Sequence, residues 1–229
     1  MLLNLYGDFG NILTLKNRCE WRGISIEIDE INIGDTIKSH DLYFIGGGQD
    51  KQQQDVAGEL FKNKEFLTQE RDNGAVFLGI CGGYQLFGHY YQPFDGPKLH
   101  GISLIDAYTV AGKKRFIGNV TVETNFLYPK TLVGFENHSG LTYIQGDTVP
   151  LGQVVIGNGN NGQDKTAGGR FKNVFGTYLH GSLLPKNPHF ADYLIELALE
   201  HRYGKEIKLS KLNDTIENTT HNSLVGKAY

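Results

Sequence analysis

Hydrophobic positions repeat at two spacings along this chain, and the spacing changes near residue 100. Residues 2–6 form a short apolar run of strand type, and Gly7-Asp8-Phe9-Gly10-Asn11 reads as a turn after it. Asn11 then caps a helix whose Ile12, Leu15 and Cys19 share one face and which stops at Gly23. Ile24, Ile26 and Ile28 alternate with Ser25, Glu27 and Asp29, the period of a half-buried strand. Residues 41–45 make a more apolar strand that runs into Gly46-Gly47-Gly48-Gln49-Asp50. A helix is predicted over 51–72, with Val56, Leu60, Phe61 and Leu67 inward and Asn73-Gly74 closing it, and a strand over 75–80 follows. This repeated order of strand, helix and strand predicts an α/β fold with a doubly wound, mostly parallel sheet flanked by helices.

From Gly101 the texture turns to β. Short strands are expected over 102–107, 115–124, 131–136, 153–157 and 174–179, and the Gly- and Asn-rich run 157–162 reads as a loop tip. Asn187-Pro188 starts a helix that keeps Phe190, Tyr193, Leu194, Leu197 and Ala198 on its inner side and ends at Gly204. The expected division is one domain over 1–204 and a surface helix or tail over 205–229, where only Ile216, Leu224 and Val225 interrupt a polar sequence.

Composition narrows the class. With 229 residues, 39% of them hydrophobic, the chain can bury one large core. A formal net charge of −3 and the lack of any Lys/Arg block argue against nucleic acid or anionic lipid as a direct partner. Cys19 falls mid-helix and Cys81 at a turn, so the two cysteines suggest neither a disulfide nor a metal site, and a reducing cytoplasm is the natural compartment. No apolar run reaches the length of a membrane span and no signal peptide is expected, so the chain reads as neither secreted nor inserted.

The chemistry concentrates in Val76-Phe77-Leu78-Gly79-Ile80-Cys81-Gly82-Gly83-Tyr84-Gln85. An apolar strand stops at a cysteine, two glycines follow, and Tyr84, Leu86 and Phe87 open a helix. That is the pattern of a nucleophile elbow, which lifts one side chain out of a sheet and leaves backbone N–H groups open beside it. The start of a helix favours a thiolate, and the Gly82 N–H can meet the oxyanion of a tetrahedral intermediate. A cysteine here is ordinarily a small core residue. Gly79 and Gly82, however, weaken a strand and a helix start, a cost that a strained elbow requires and a core cysteine does not. The Gly47-Gly48 turn, at the carboxyl end of a neighbouring strand, can share the same crevice and supply a second oxyanion donor. No Lys-Ser/Thr follows it, which excludes a P-loop.

A cysteine nucleophile needs a base, usually histidine. Of the eight histidines, His40, His89, His100, His189, His201 and His221 fall in predicted loops or on exposed helical faces. His138 and His180 each follow an apolar strand, and either can reach the crevice by position; a structural role is equally open to each.

Gly79-Ile80-Cys81-Gly82-Gly83-Tyr84-Gln85 resembles the G-x-C-x-G-x-Q motif of class I glutamine amidotransferases, and Tyr178-Leu179-His180-Gly181 resembles their base motif. Residues 3–11, 44–50, 134–138 and 176–181 are more narrowly similar to the cobyric-acid-synthase-like branch, and within it to glutaminase subunits that serve amidation of lipid II. The resemblance covers residues 2 to about 200, with five motifs in the same order. It implies a flavodoxin-like fold in which Cys81 attacks the side-chain amide of glutamine to form a thioester and release ammonia. His180 would be general base and acid, and Gly82 with Gly47 and Gly48 would form the oxyanion hole. Arg115 would hold the substrate α-carboxylate, and Gln85 would support the elbow or the bound glutamine.

Most class I members carry a glutamate two residues after the histidine; here that position is Ser182. The resemblance implies that the orienting aspartate arrives from a partner, with Glu136 the internal candidate. That partner would be a Mur-ligase-like subunit in a heterodimer, binding ATP and Mg²⁺ and amidating the D-glutamate of lipid II to D-isoglutamine. The chain itself would carry no cofactor or metal and would work in the cytoplasm, meeting the inner face of the membrane only through its lipid-linked substrate. The alternatives are a glutaminase for corrinoid amidation, a γ-glutamyl hydrolase, and a non-catalytic binding module.

Overall fold

A computed structural model describes residues 8–48 and 50–228; the strand expected over 2–6, Gly7 and Gln49 lie outside the described residues. Helices and strands alternate first: α1 (Phe9–Glu20), β1 (Leu42–Ile45), α2 (Asp50–Lys62), α3 (Lys64–Asp72), β2 (Val76–Ile80) and α4 (Gly82–Phe87). The β-rich part holds β3 (Tyr90–Gln92), β4 (Leu99–His100), β5 (Ala107–Glu123), β6 (Thr131–Ile144), β7 (Gly152–Ile156), β8 (Thr166–Ala167), β9 (Gly169–Phe171) and β10 (Val174–Thr177). A 3₁₀ turn at Leu184–Lys186, α5 (Pro188–Tyr203) and α6 (Thr215–Leu224) complete the order.

Two sheets result, so the fold is α/β with mixed sheets flanked by helices and a β-rich second half. The first runs β1-β2-β10-β9, with β1, β2 and β10 parallel and β9 antiparallel. The second runs β4-β3-β5-β7-β8, and the long β6 pairs antiparallel with β5. β2 lies between β1 and β10 and is buried at every position, which is why its five residues carry no polar side chain. Val76, Leu78 and Ile80 face the cluster built with Leu15, Cys19, Phe190 and Leu194. Phe77 faces the opposite cluster with Tyr43, Leu67 and Phe87. Both ends of β2 are thereby fixed, and the residue that follows it is held at the top of the sheet.

Several expectations change. Residues 24–28 form no strand: the segment is irregular, Ile26 and Ile28 are exposed, and it pairs with no strand among the described residues. Alternation supplies a face, but a strand also needs a neighbour for its backbone. Asn11 does not cap α1. The helix opens at Phe9, and the buried Asn11 turns its Oδ1 to the Leu184 N–H at 2.8 Å. The helix expected over 51–72 breaks at Asn63, whose backbone leaves the helical region, and Phe61 is exposed. In 102–106 Ile102, Leu104 and Ile105 are buried without forming a strand, because the segment's N–H groups are spent on the end of α4: Ile102 on Leu86 O, Ser103 on Gly88 O and Ile105 on Phe87 O.

The polar tail is docked. His221 on α6 is buried, with Nδ1 2.8 Å from Lys186 O and Nε2 2.8 Å from Thr131 Oγ1. Arg18 of α1, also buried, bonds both Asp192 of α5 and Asp214 just before α6. These contacts are polar, so an apolar pattern could not announce them. Among the described residues no helix is long and apolar enough to cross a membrane, and no cluster of His, Cys, Asp and Glu could hold a metal ion.

Candidate active site

Cys81 follows β2 immediately and has φ 51° and ψ −103°, a conformation that costs a residue with a side chain. Its N–H donates to Thr177 O on β10 at 2.8 Å and its carbonyl accepts from Gln85 N at 3.0 Å, so the turn is held from both sides. A Cβ on Gly83 would stand 2.2 Å from Ile45 O, so α4 can sit on the end of β1 only because that position has no side chain. Cys81 is half-buried, as a nucleophile that admits substrate requires.

His180 reaches the same place from the other half of the chain. Three residues beyond β10 its backbone makes an isolated bridge to Phe135 of β6, with His180 N donating to Phe135 O at 2.8 Å and Phe135 N to His180 O at 3.3 Å. His180 is thus clamped where the two sheets meet. A Cβ on Gly47 would lie 3.0 Å from His180 Cε1, 3.3 Å from Asp8 Oδ2 and 3.4 Å from the Cys81 Cβ. Gly47 therefore marks the point on which Cys81, His180 and Asp8 converge. The buried ring loses solvation, which works against its charged form, yet the Asp8 carboxylate and Cys81 beside it raise its pKa to about 9.

The Gly47-Gly48 turn divides in two. Gly47 N–H donates to Asp8 Oδ2 at 2.7 Å, so it is occupied rather than offered to an oxyanion. Gly48 N lies 3.3 Å from where a Gly82 Cβ would stand, which puts the Gly48 and Gly82 backbones side by side at the helix start. Those two can line one anion pocket.

Gln85 is tied into a buried polar network. It is buried, its Oε1 accepts from Gln53 Nε2 at 2.7 Å, and its Nε2 donates to Tyr178 Oη at 3.1 Å. The amide braces the elbow through these two bonds. Arg115 is exposed beside an irregularity in the β5–β6 pairing, and its Nε donates to Asn137 Oδ1 at 2.6 Å. Asn137 lies two positions along β6 from Phe135, the backbone partner of His180, so Arg115 is tied to the strand that clamps His180.

Glu136 and His138 are not in the constellation. The Glu136 carboxylate is buried and accepts from the N–H groups of Asn158 and Gly159, at 2.9 and 3.0 Å, so it holds the 157–162 loop and does not orient His180. Burial raises its pKa against those donors. His138 stacks flat on Tyr178, 3.6 Å between ring centres, and gives Nδ1 to Gly140 O at 2.8 Å. Burial, with the charges of His180 and Arg115, lowers its pKa to about 4, the value of a ring built in neutral. Sequence reasoning missed Asp8 and Gln53. The only signal for Asp8 was its place in a turn directly after an apolar run, where an open sheet collects its functional loops.

The site's parts match a known family. Residues 1–188 match the model of the CobB/CobQ-like glutamine amidotransferase domain. The chain is 40% identical over 94% of its length to the GatD subunit of a glutamine-hydrolysing lipid II isoglutaminyl synthase from Streptococcus pneumoniae, covering 84% of that protein. It is 41% identical over 99% of its length to the corresponding GatD subunit from Staphylococcus aureus, covering 92% of it. A glutamine amidotransferase from Thermotoga maritima has the same fold, with a TM-score of 0.52 at 14% identity over 92% of this chain and 86% of that one. The span 1–188 that matches the family model includes both Cys81 and His180, and the chain belongs to the CobB/CobQ-like glutamine amidotransferase family.

Proposed function

We propose that this chain hydrolyses L-glutamine through a Cys81 thioester and passes the ammonia to a Mur-ligase-like partner, which amidates the D-glutamate of lipid II to D-isoglutamine. The observation that carries the reading is the meeting of Cys81, on its strained elbow, with the buried His180 around Gly47. His180, whose raised pKa keeps its ring charged at neutral pH, holds the proton of the thiol, and Cys81 Sγ attacks the amide carbon as the thiolate. The tetrahedral oxyanion is met by the N–H groups of Gly82 and Gly48, each donor contributing about 3–4 kcal/mol to the transition state. Collapse expels ammonia, which leaves with the proton held by His180. Water, deprotonated by the same ring, hydrolyses the thioester, and glutamate departs as the thiol is restored. Arg115 has the planar fork that suits the α-carboxylate of a free amino acid.

The partner reading is supported by the names of the relatives, which are subunits of a synthase. ATP and Mg²⁺ belong to the partner's half of the chemistry, and nothing in Cys–His hydrolysis of an amide calls for them. The test is ammonia release from glutamine by the chain alone and with its candidate partner. Cys81→Ala and His180→Ala are expected to abolish it in both settings; activity that survives Cys81→Ala refutes the thioester.

A further inference from the structure

We propose that Asn137 is the positioning residue for Arg115, holding its guanidinium so that the open edge of the fork receives the α-carboxylate of the substrate glutamine. The inference rests on the glutaminase reading and deepens it by naming what selects a free amino acid. Arg115 sits in a bulge: Ala111 pairs with Gly140 and Phe116 with His138, so residues 112–115 of β5 stand against Ser139 alone. Bulges of this kind re-aim a side chain beside a site. Left to itself, the long and exposed side chain would sample many rotamers. Its hydrogen bonds among the described residues go to Asn137, from Nε to Oδ1 at 2.6 Å and from Nη2 to the backbone O at 3.4 Å. These occupy the Nε edge. The edge left open is Nη1 with the outer hydrogen of Nη2, which can meet a carboxylate with two parallel bonds.

The strand that carries Asn137 also sets its distance from the base. The antiparallel bridge between Phe135 and His180 puts those two side chains on one face, and Asn137, two positions along β6, projects from the same face. Diagonal neighbours of this sort have Cβ atoms roughly 7 Å apart. An extended glutamine measures roughly 5 Å from its side-chain amide carbon to its α-carboxyl carbon. A fork held one diagonal step from the base therefore suits the carboxylate end of a substrate whose amide end lies at Cys81. His138 feels the charges of both His180 and Arg115, so the two groups act on common ground. Asn137 is itself fixed, because Ile117 of β5 pairs with it in register. Lys113 and Lys114 share the bulge and are exposed, but Arg115 is the residue that β6 grips, and a planar fork gains more from being aimed than a point charge does.

The test compares L-glutamine with L-glutaminamide, which offers the same side-chain amide beside a neutral α-carboxamide. Binding of each is measured by calorimetry to the full chain carrying Cys81→Ala, and kcat and KM for ammonia release are measured in the complex with the partner. The parent chain is expected to favour glutamine. Arg115→Ala should remove that preference, weakening glutamine by about 10- to 100-fold and glutaminamide little. Asn137→Ala should weaken glutamine by about five- to twentyfold in Kd and KM, with kcat within about twofold and glutaminamide unchanged. Asn137→Asp keeps the acceptor but sets a rival charge against the fork, and should weaken glutamine at least as much. In the double variant the losses should not add, since the tether has nothing left to hold. Equal weakening of both substrates by Asn137→Ala, additive losses in the double variant, or a preference that survives Arg115→Ala overturns the proposal. If the wild-type complex releases no ammonia, the glutaminase reading fails instead, while the ratio of the two affinities still reports whether Asn137 aims Arg115 at a carboxylate.

Discussion

Replacing Cys81 with glycine and, separately, with alanine isolates the strain stored in the elbow. Alanine removes the sulfur but keeps the Cβ that makes φ 51°, ψ −103° unfavourable; glycine removes both. A residue held in such a region costs about 1–3 kcal/mol, which glycine recovers. The extra freedom glycine gives the unfolded chain takes back about 0.4–1 kcal/mol. The net expectation is that Cys81→Gly is more stable than Cys81→Ala by roughly 0.5–2 kcal/mol, with both variants inactive. For a chain of this size each kcal/mol moves the melting temperature by about 2–4 °C. Urea unfolding of the two variants side by side, with calorimetry as the second probe, reads the difference directly. If the alanine variant is as stable as the glycine variant, or more so, the elbow stores no strain and Cys81 adopts its conformation for some other reason.

Gly83→Ala puts a methyl group 2.2 Å from Ile45 O, a backbone atom that cannot swing away, and should cost about 1–3 kcal/mol in urea unfolding. Gly58→Ala, in α2 with nothing within 4 Å, is the control and should stabilise by about 0.5–1 kcal/mol. Arg18→Met removes the ion pair of Asp214 and leaves Asp192 with Arg22 alone; since both carboxylates keep partial access to water, the loss should be about 2–3 kcal/mol, below that for a fully buried pair. His138 and His189 have pKa values lowered to about 4, chiefly by burial. Their stabilisation is present above the unfolded value near 6.5 and is lost as pH falls toward 4, because the unfolded chain takes up protons that the folded chain refuses. His180 has the opposite sign: its contribution is complete below about 6.5 and is lost as pH rises through about 9. Melting temperature against pH should therefore fall on both sides, and His138→Gln should flatten only the acid limb; an unchanged acid limb refutes the assignment.

Much of this was legible because it depends on local chemistry. The apolar run 76–80, ended by Cys81 and two glycines, favours a buried strand and a sharp turn from its own residues, because an apolar strand needs both faces covered and glycine admits the close approaches a turn requires. The run of Tyr178, Leu179 and His180 places a histidine just past a strand end, where His138 is by position an equal candidate and only the family resemblance separates them. What the sequence could not carry was any assignment that depends on which polar group meets which across the chain. Asp8, Glu136 and Ser182 are all short-range ambiguities: each is a polar residue whose neighbours along the chain do not say what it meets. Only packing sends the Glu136 carboxylate to Asn158 and Gly159 and the Asp8 carboxylate to His180 and Gly47. Likewise the polar pattern of 205–229 gave no sign that His221 docks α6, and the alternation of 24–28 promised a strand that finds no partner among the described residues. Apolar burial depends on periodicity along the chain, which a sequence displays. Hydrogen bonds and charge pairs depend on distances across it, and those exist only once the two sheets have closed on each other.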